Sequence, residues 1–399
     1  MSDNSIGGFF QIDARTWAKV CVPGRMNEAV SYLVLARGTG PDNRTTSWSV
    51  DAVERYTGIS RRNAKAALRR NQADGFVRLL RGGTKPKYDL VPFSELPAAT
   101  PRRPLSVVEQ AVVDRIARSE DINATTQRQA AYRAVEKGWL VRDGEGRFAL
   151  KTVEPDWIWL PNELVTGAVS EDPPLERVRQ TQDAMTLRLF IDMYHAQNLC
   201  DDGGVSRRYM RFEYERFEAG NYGQFAVWAF RPRTESMTWG NRLTDPHHRE
   251  TLTDEEKQVG KNPGVDFFRR NMQLRDLGLF EWVPHLVESM ELTGELIHPL
   301  RIDGSRSLED RLGQAAGDAA RAMMTAGQIL WADTNSMHYL LPVLRHVANV
   351  QVVGIARLRY RPHTSMTAAW WAELKANSEK HLERYMALAA DRGSQVAAG

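Results

Sequence analysis

The sequence predicts an α+β fold, mainly α, and three observations carry that expectation. Apolar residues recur at helical spacing in several segments, among them "RMNEAVSYLVLARG" (25–38) and "LERVRQTQDAMTLRLFIDMYHAQNL" (175–199). Three times a helix-like run meets a glycine and then short β-type runs: "GFVRLLRGGTKPKYDLV" (75–91), "GWLVRDGEGRFAL" (138–150) and "GLFEWVPHLVESMELTGELIHPLRI" (278–302). The chain's 399 residues also exceed one ordinary core, so two to four domains are expected.

The elements follow in order. Residues 25–38 read as a helix, and the loop "TGPDNRTTSW" comes next. Ser49 can cap a short helix, "SVDAVERYTG", by accepting a backbone N–H hydrogen bond. Gly58 ends that helix, Ile59 packs the turn, and Ser60 caps "RRNAKAALRRNQADG". There Ala64, Ala67 and Leu68 fall at i, i+3 and i+4 and form one buried face, which leaves Arg61, Arg62, Lys65 and Arg69 to project outward. Gly75 stops the helix, and two short strands follow around a Gly-Gly turn with a basic tip.

The residues Gly58-Ile59-Ser60, Ala67-Leu68, Gly75-Phe76-Val77 and Tyr88 carry a resemblance to the winged helix-turn-helix family of DNA-binding domains, over roughly residues 10–95. Asn71 departs from the pattern, because such domains usually have an apolar residue one turn beyond Leu68. A buried asparagine without partners would cost about 1–3 kcal/mol. Asn71 is therefore expected either at a domain contact that satisfies it or on a solvent-facing side of a rotated helix.

"PFSELPAATPRRP" (92–104) reads as a linker, since its four prolines cannot sustain a helix or a central strand. Residues 105–154 then give two helices, a Gly stop and a hairpin turning at "DGEG", a second and reduced winged helix. Its helix carries fewer charges, so packing, phosphate contact and base reading all stay open. A third copy is expected over 155–303. There "GGVSRR" (203–208) echoes "GISRR" (58–62), and residues 218–262 read as an insertion holding the strand "FAVWAFRP" and the acidic stretch "TDPHHRETLTDEEKQVGK". The last segment, 304–399, adds a helix (306–325), the strand-like "ANVQVVGIARLRYRP" and an amphipathic helix (365–391). The expected organisation is thus domain 1–96, linker 97–104, domains 105–154 and 155–303, and a mixed α/β assembly region 304–399.

Charge is distributed unevenly along the chain. From Arg55 to Lys87 there are ten basic residues and one acidic residue, Asp74, in a protein whose formal net charge is +3. Residues 1–150 carry 24 Lys+Arg against 16 Asp+Glu, whereas residues 151–399 carry 29 against 34. Such asymmetry points the N-terminal part at a polyanion and the rest at assembly, as a protein partner or self-association through 151–399. A helix of about 10–12 Å diameter fits the duplex major groove of about 12 Å. Ser60, Arg61, Arg62, Asn63 and Lys65 stand on the first turns, which a recognition helix presents to base edges. Arg can grip guanine O6/N7 and Asn can grip adenine N6/N7, each with two hydrogen bonds. Arg69, Arg70, Arg81, Lys85 and Lys87 are placed for phosphates or the minor groove. For Arg207 and Arg208 two readings stand, a second DNA contact or an internal ion-pair network. Arg357, Arg359 and Arg361 alternate on a strand beside Tyr360 and two tryptophans, a pattern that could stack on nucleic acid but is read first as packing or self-association.

Enzyme signatures are scarce. There is no phosphate-cradling Walker loop and no dinucleotide fingerprint. "DPHHRE" offers two histidines without a third ligand at a recognisable spacing, so no metal, cofactor or catalytic residue is expected. No apolar run is long enough to span a membrane and no export leader is visible. Cys21 and Cys200 suggest a reducing, cytoplasmic setting. The expectation is a non-enzymatic, sequence-specific double-stranded DNA-binding protein. Its tandem arrangement resembles plasmid and phage replication initiators, which implies origin binding at repeated sites; a transcriptional regulator of a bacterium or mobile element fits equally. The alternative is a non-catalytic subunit of a larger nucleoprotein complex with a protein-binding C-terminal half.

Overall fold

A computed structural model describes residues 8–96, 105–117, 122, 124–142, 147–150, 154–168, 170–250, 264–289, 291, 294–347, 349–361 and 365–396. The expected linker 97–104, the hairpin tip 143–146 and most of the acidic stretch (251–263) lie outside the described residues. The fold is mixed α/β. By its internal contacts the chain divides into two compact units: one comprises Gln11–Val20 and Asn27–Trp157, the other Met1–Phe10, Cys21–Met26 and Ile158–Gly399.

The chain opens with β1 (Phe9–Asp13) and α1 (Ala14–Val20), then α2 (Met26–Arg37), β2 (Thr45–Thr46), α3 (Val50–Thr57), α4 (Arg61–Ala73) and the hairpin β3 (Val77–Arg81) and β4 (Lys87–Leu90). Ser49 caps α3 through Asp51 N–H, Gly58 ends it in the left-handed conformation at φ 62°, and Ser60 caps α4 through Asn63 N–H. Strands β2, β4 and β3 form one sheet in that order. Ala64, Ala67, Leu68 and Asn71 are the buried residues of α4, as helical spacing requires.

Two further helices, α5 (Val107–Ala117) and α6 (Thr125–Glu136), precede the hairpin β5 (Leu140–Arg142) and β6 (Phe148–Leu150). Val112, Val113, Ala130, Ala131, Ala134 and Leu140 form their core. The likeness to the first module extends to backbone detail. Gly75 and Gly138 sit at φ 80° and 81°, and the next residues donate back to Asn71 and Ala134 carbonyls at 2.9 and 2.8 Å. That register makes Arg70 and Arg133 equivalent. Arg70 pairs with buried Glu28 of α2 at 2.6 Å, and Arg133 pairs with buried Glu109 of α5 at 3.1 Å.

The second unit contains β7 (Trp157–Pro161, whose Trp157 belongs to the first unit), α7 (Glu163–Thr166), α8 (Pro174–Gln180), α9 (Ala184–His195), and the short β8 (Gln197–Asn198) and β9 (Gly204–Val205). Residues 175–199 were expected as one helix. Gln182 at φ 57° breaks it, and Asp183 caps α9 by accepting Met185 N–H at 2.9 Å. Next come β10 (Met210–Tyr222), β11 (Phe225–Trp239), α10 (Asn241–Glu250), α11 (Gly264–Asp276), β12 (Phe280–Val287) and β13 (Leu296–Pro299). The chain closes with α12 (Leu308–Met323), α13 (Ala326–Thr334), β14 (Tyr339–Leu344), β15 (Gln351–Leu358) and α14 (Ser365–Val396).

Six strands pair in the order β13-β12-β15-β10-β11-β14. Residues 218–239 therefore do not belong to a peripheral insertion; they finish β10 and form β11, two interior strands. A two-residue turn with Gly223 at φ 58° joins these strands. Gly354 pairs with Phe212, and a Cβ at Gly354 would come 2.8 Å from that of Phe212, so the close approach excludes any larger residue. Helices α12 and α14 contribute Leu312, Ala316, Leu382 and Tyr385 to the core against Phe230, Leu341 and Val352 of the sheet. The "GGVSRR" segment departs from expectation: it forms β9 and a turn into β10, with no helix following Ser206. A helix, a left-handed Gly278 at φ 65° and a hairpin do follow one another at 264–299, as expected.

Candidate nucleic-acid interface

The first module fixes its exposed face from beneath. Asn71 is fully buried and donates from Nδ2 to the Glu28 carbonyl at 2.9 Å, so its partner lies within the module itself. Together with the Arg70 ion pair, this bond sets the rotation of α4 against α2. The face turned outward then carries Ser60, Arg61, Arg62, Asn63, Lys65 and Arg69, all exposed.

Two of the arginines expected to be free are engaged by carboxylates. Arg61 pairs through Nη1 with Asp51 of α3, and Glu54 lies 3.5 Å from the same nitrogen. Arg70, expected at a phosphate, gives its guanidinium to Glu28, although 68% of its side chain stays exposed. Both follow from proximity: acidic residues one helix away compensate the charge of closely spaced arginines. Among the described residues no ion pair holds Arg62, Lys65, Arg69, Lys85 or Lys87. Arg81 Nε donates to the Lys85 carbonyl at 3.2 Å, which closes the hairpin turn and leaves Lys85 and Lys87 exposed at its tip.

Between α4 and the hairpin lies a cleft of about 400 Å³. Lys65, Arg69 and the Arg61–Asp51 pair line it on the helix side, and Gly82, Gly83 and Thr84 on the hairpin side. The cations of this cleft, Lys65 and Arg69, come from its helix wall, and the hairpin closes the other side with small residues. Arg78 is not available there; it pairs with Asp89 and Glu95 at 3.2 and 3.5 Å.

Arg207 and Arg208 lie far along the sequence in the other unit. Arg207 is 5% exposed, forms a 2.5 Å ion pair with Asp202 and donates to the Gly294 carbonyl at 2.8 Å. It is an internal strut, which removes it from the DNA-binding set. Arg208 is exposed and stands beside a separate cleft with His195, Arg242 and Tyr209. Arg357 is likewise internal: it is buried against Glu309 at 2.5 Å and its guanidinium lies over the Trp371 ring. Sequence reasoning missed Glu28, Asp51 and Glu54. Only Asp51 and Glu54 left a signal, their one-helix separation from Arg61.

Among the described residues no group of three or more His, Cys, Asp or Glu side chains is placed to hold a metal ion, and no helix is long and apolar enough to cross a membrane. Comparison with known protein families, with curated proteins and with solved structures finds no match for this chain.

Proposed function

We propose that the chain is a sequence-specific double-stranded DNA-binding protein, a replication initiator or transcriptional regulator of a bacterium or mobile element. In this reading residues 26–90 act as a winged helix-turn-helix module with α4 in the major groove and the β3–β4 tip on the neighbouring backbone. One observation carries it: exposed cations on α4 (Arg62, Lys65, Arg69) and on the hairpin tip (Lys85, Lys87) form no ion pair among the described residues, and Lys65 and Arg69 line one cleft with the hairpin glycines. A merely solvated helix gives no reason for its hairpin to be basic as well. Asn63, on the first turn, adds a donor and acceptor suited to adenine.

The test is selection of bound fragments from random duplex DNA, followed by the same selection with Arg62→Ala and Lys85→Ala. Arg62→Ala is expected to change sequence preference, and Lys85→Ala to weaken all duplexes alike. No change from either variant overturns the assignment. The second reading, a subunit of a larger nucleoprotein complex, draws on apolar exposure in the α5–α6 module, where Val107 is 87% and Val108 57% exposed. Weak DNA binding by the pure chain together with a co-purifying protein would favour it.

A further inference from the structure

The Arg61–Asp51–Glu54 cluster separates Arg61 chemically from the other arginines of α4. Both carboxylates meet the same nitrogen: Nη1 pairs with Asp51 and stands 3.5 Å from Glu54. A guanidinium has five N–H donors in a planar fork. With Nη1 occupied, the edge formed by Nε and Nη2 remains, two parallel donors matched to two adjacent acceptors. The group stays 55% exposed and lines the cleft between α4 and the hairpin, so this edge is reachable from outside.

We infer that Asp51 and Glu54 are positioning residues that turn Arg61 into a guanine reader and withhold it from phosphates; this rests on the duplex-binding role proposed above. The argument is electrostatic. Two carboxylates beside one guanidinium leave the cluster with a net negative formal charge, which repels a phosphate and makes Arg61 a poor backbone contact. The O6 and N7 atoms of guanine are neutral acceptors and carry no such penalty. The carboxylates also restrict a side chain that would otherwise sample many rotamers, so less freedom is lost when two hydrogen bonds form. Lys65 and Arg69, which form no ion pair among the described residues, keep their full charge for the backbone. One helix face thereby divides its labour: Arg61 reads, and Lys65 and Arg69 hold.

Asp51 and Glu54 are 68% and 46% exposed, so their replacement leaves the core untouched. The experiment selects duplexes from a random pool with the full chain as wild type, Asp51→Asn/Glu54→Gln, Arg61→Ala and Lys65→Ala, and measures binding to selected and random duplexes. At one position of the selected site the wild type is expected to prefer guanine by about 5- to 150-fold, the range of one good bidentate contact. Arg61→Ala and the double carboxylate variant should both flatten that position. The carboxylate variant should at the same time bind random duplex more tightly than wild type, whereas Lys65→Ala should bind it more weakly and keep the preference. A carboxylate variant that binds DNA with every preference intact overturns the positioning role, whether or not its overall affinity rises. A wild type that retains no duplex overturns the DNA-binding reading itself, and the inference with it.

Discussion

Asn71 shows how one polar side chain can be placed where packing asks for an apolar one. Its Nδ2 is satisfied by the Glu28 carbonyl while its Oδ1 is buried without a protein partner. Asn71→Ala is expected to lower stability by about 1–3 kcal/mol in urea denaturation, from the lost hydrogen bond and packing. Glu109 gives a second residue-scale prediction. A hydrogen bond from Lys137, then one from Ser106 N–H, hold its carboxyl at about 2, below the ordinary glutamate range. Because the folded value is the lower one, this stabilisation is complete above the unfolded value and is lost as pH falls from about 5 towards 2. Glu109→Gln should be less stable at neutral pH and should show a flatter acid limb, read by thermal melts across that range.

At the scale of elements, three helices end in the same way, at left-handed Gly75, Gly138 and Gly278, each followed by a hairpin. A Cβ at Gly138 would meet nothing within 4 Å, so the only obstacle to alanine there is its backbone conformation. Gly138→Ala should therefore lower the melting stability of the α5–α6 module by about 1–2 kcal/mol, a loss that repacking cannot relieve. These stops were legible in the sequence because glycine, cap residue and alternating strand all lie within a few positions of one another. The outward cations of α4 were legible for the same reason, as consequences of Ala64, Ala67 and Leu68 turning inward. Strand β10 was not legible. Its "FEYERFE" reads as surface because its charges are answered across the sheet, Glu215 by Arg231 at 2.9 Å and Glu213 by Arg233 at 2.6 Å. The partner of Arg207 was missed although it is five residues away, since the echo of a helix start concealed a turn.

At the scale of the whole molecule, the basic module and the sheet-centred unit differ in what they should answer to. DNA affinity is expected to fall linearly on a log–log plot against salt, and Lys85→Ala should reduce that slope by about one. Measuring both proteins by fluorescence anisotropy over a salt series checks this. The second unit also depends on a short early segment: Cys21 is fully buried, with Sγ 3.2 Å from the Ala184 carbonyl, and Arg188 donates to the Cys21 carbonyl at 3.4 Å. Residues 158–399 expressed alone should therefore melt below the corresponding transition of the full chain. That dependence has a temporal side. Cys21–Met26 leaves the ribosome more than a hundred residues before Ile158, so at about 5–20 residues per second it waits on the order of ten seconds for its partners. Throughout that interval a cysteine-bearing strip stands uncovered in the nascent polypeptide, and the speed of translation becomes part of what protects it.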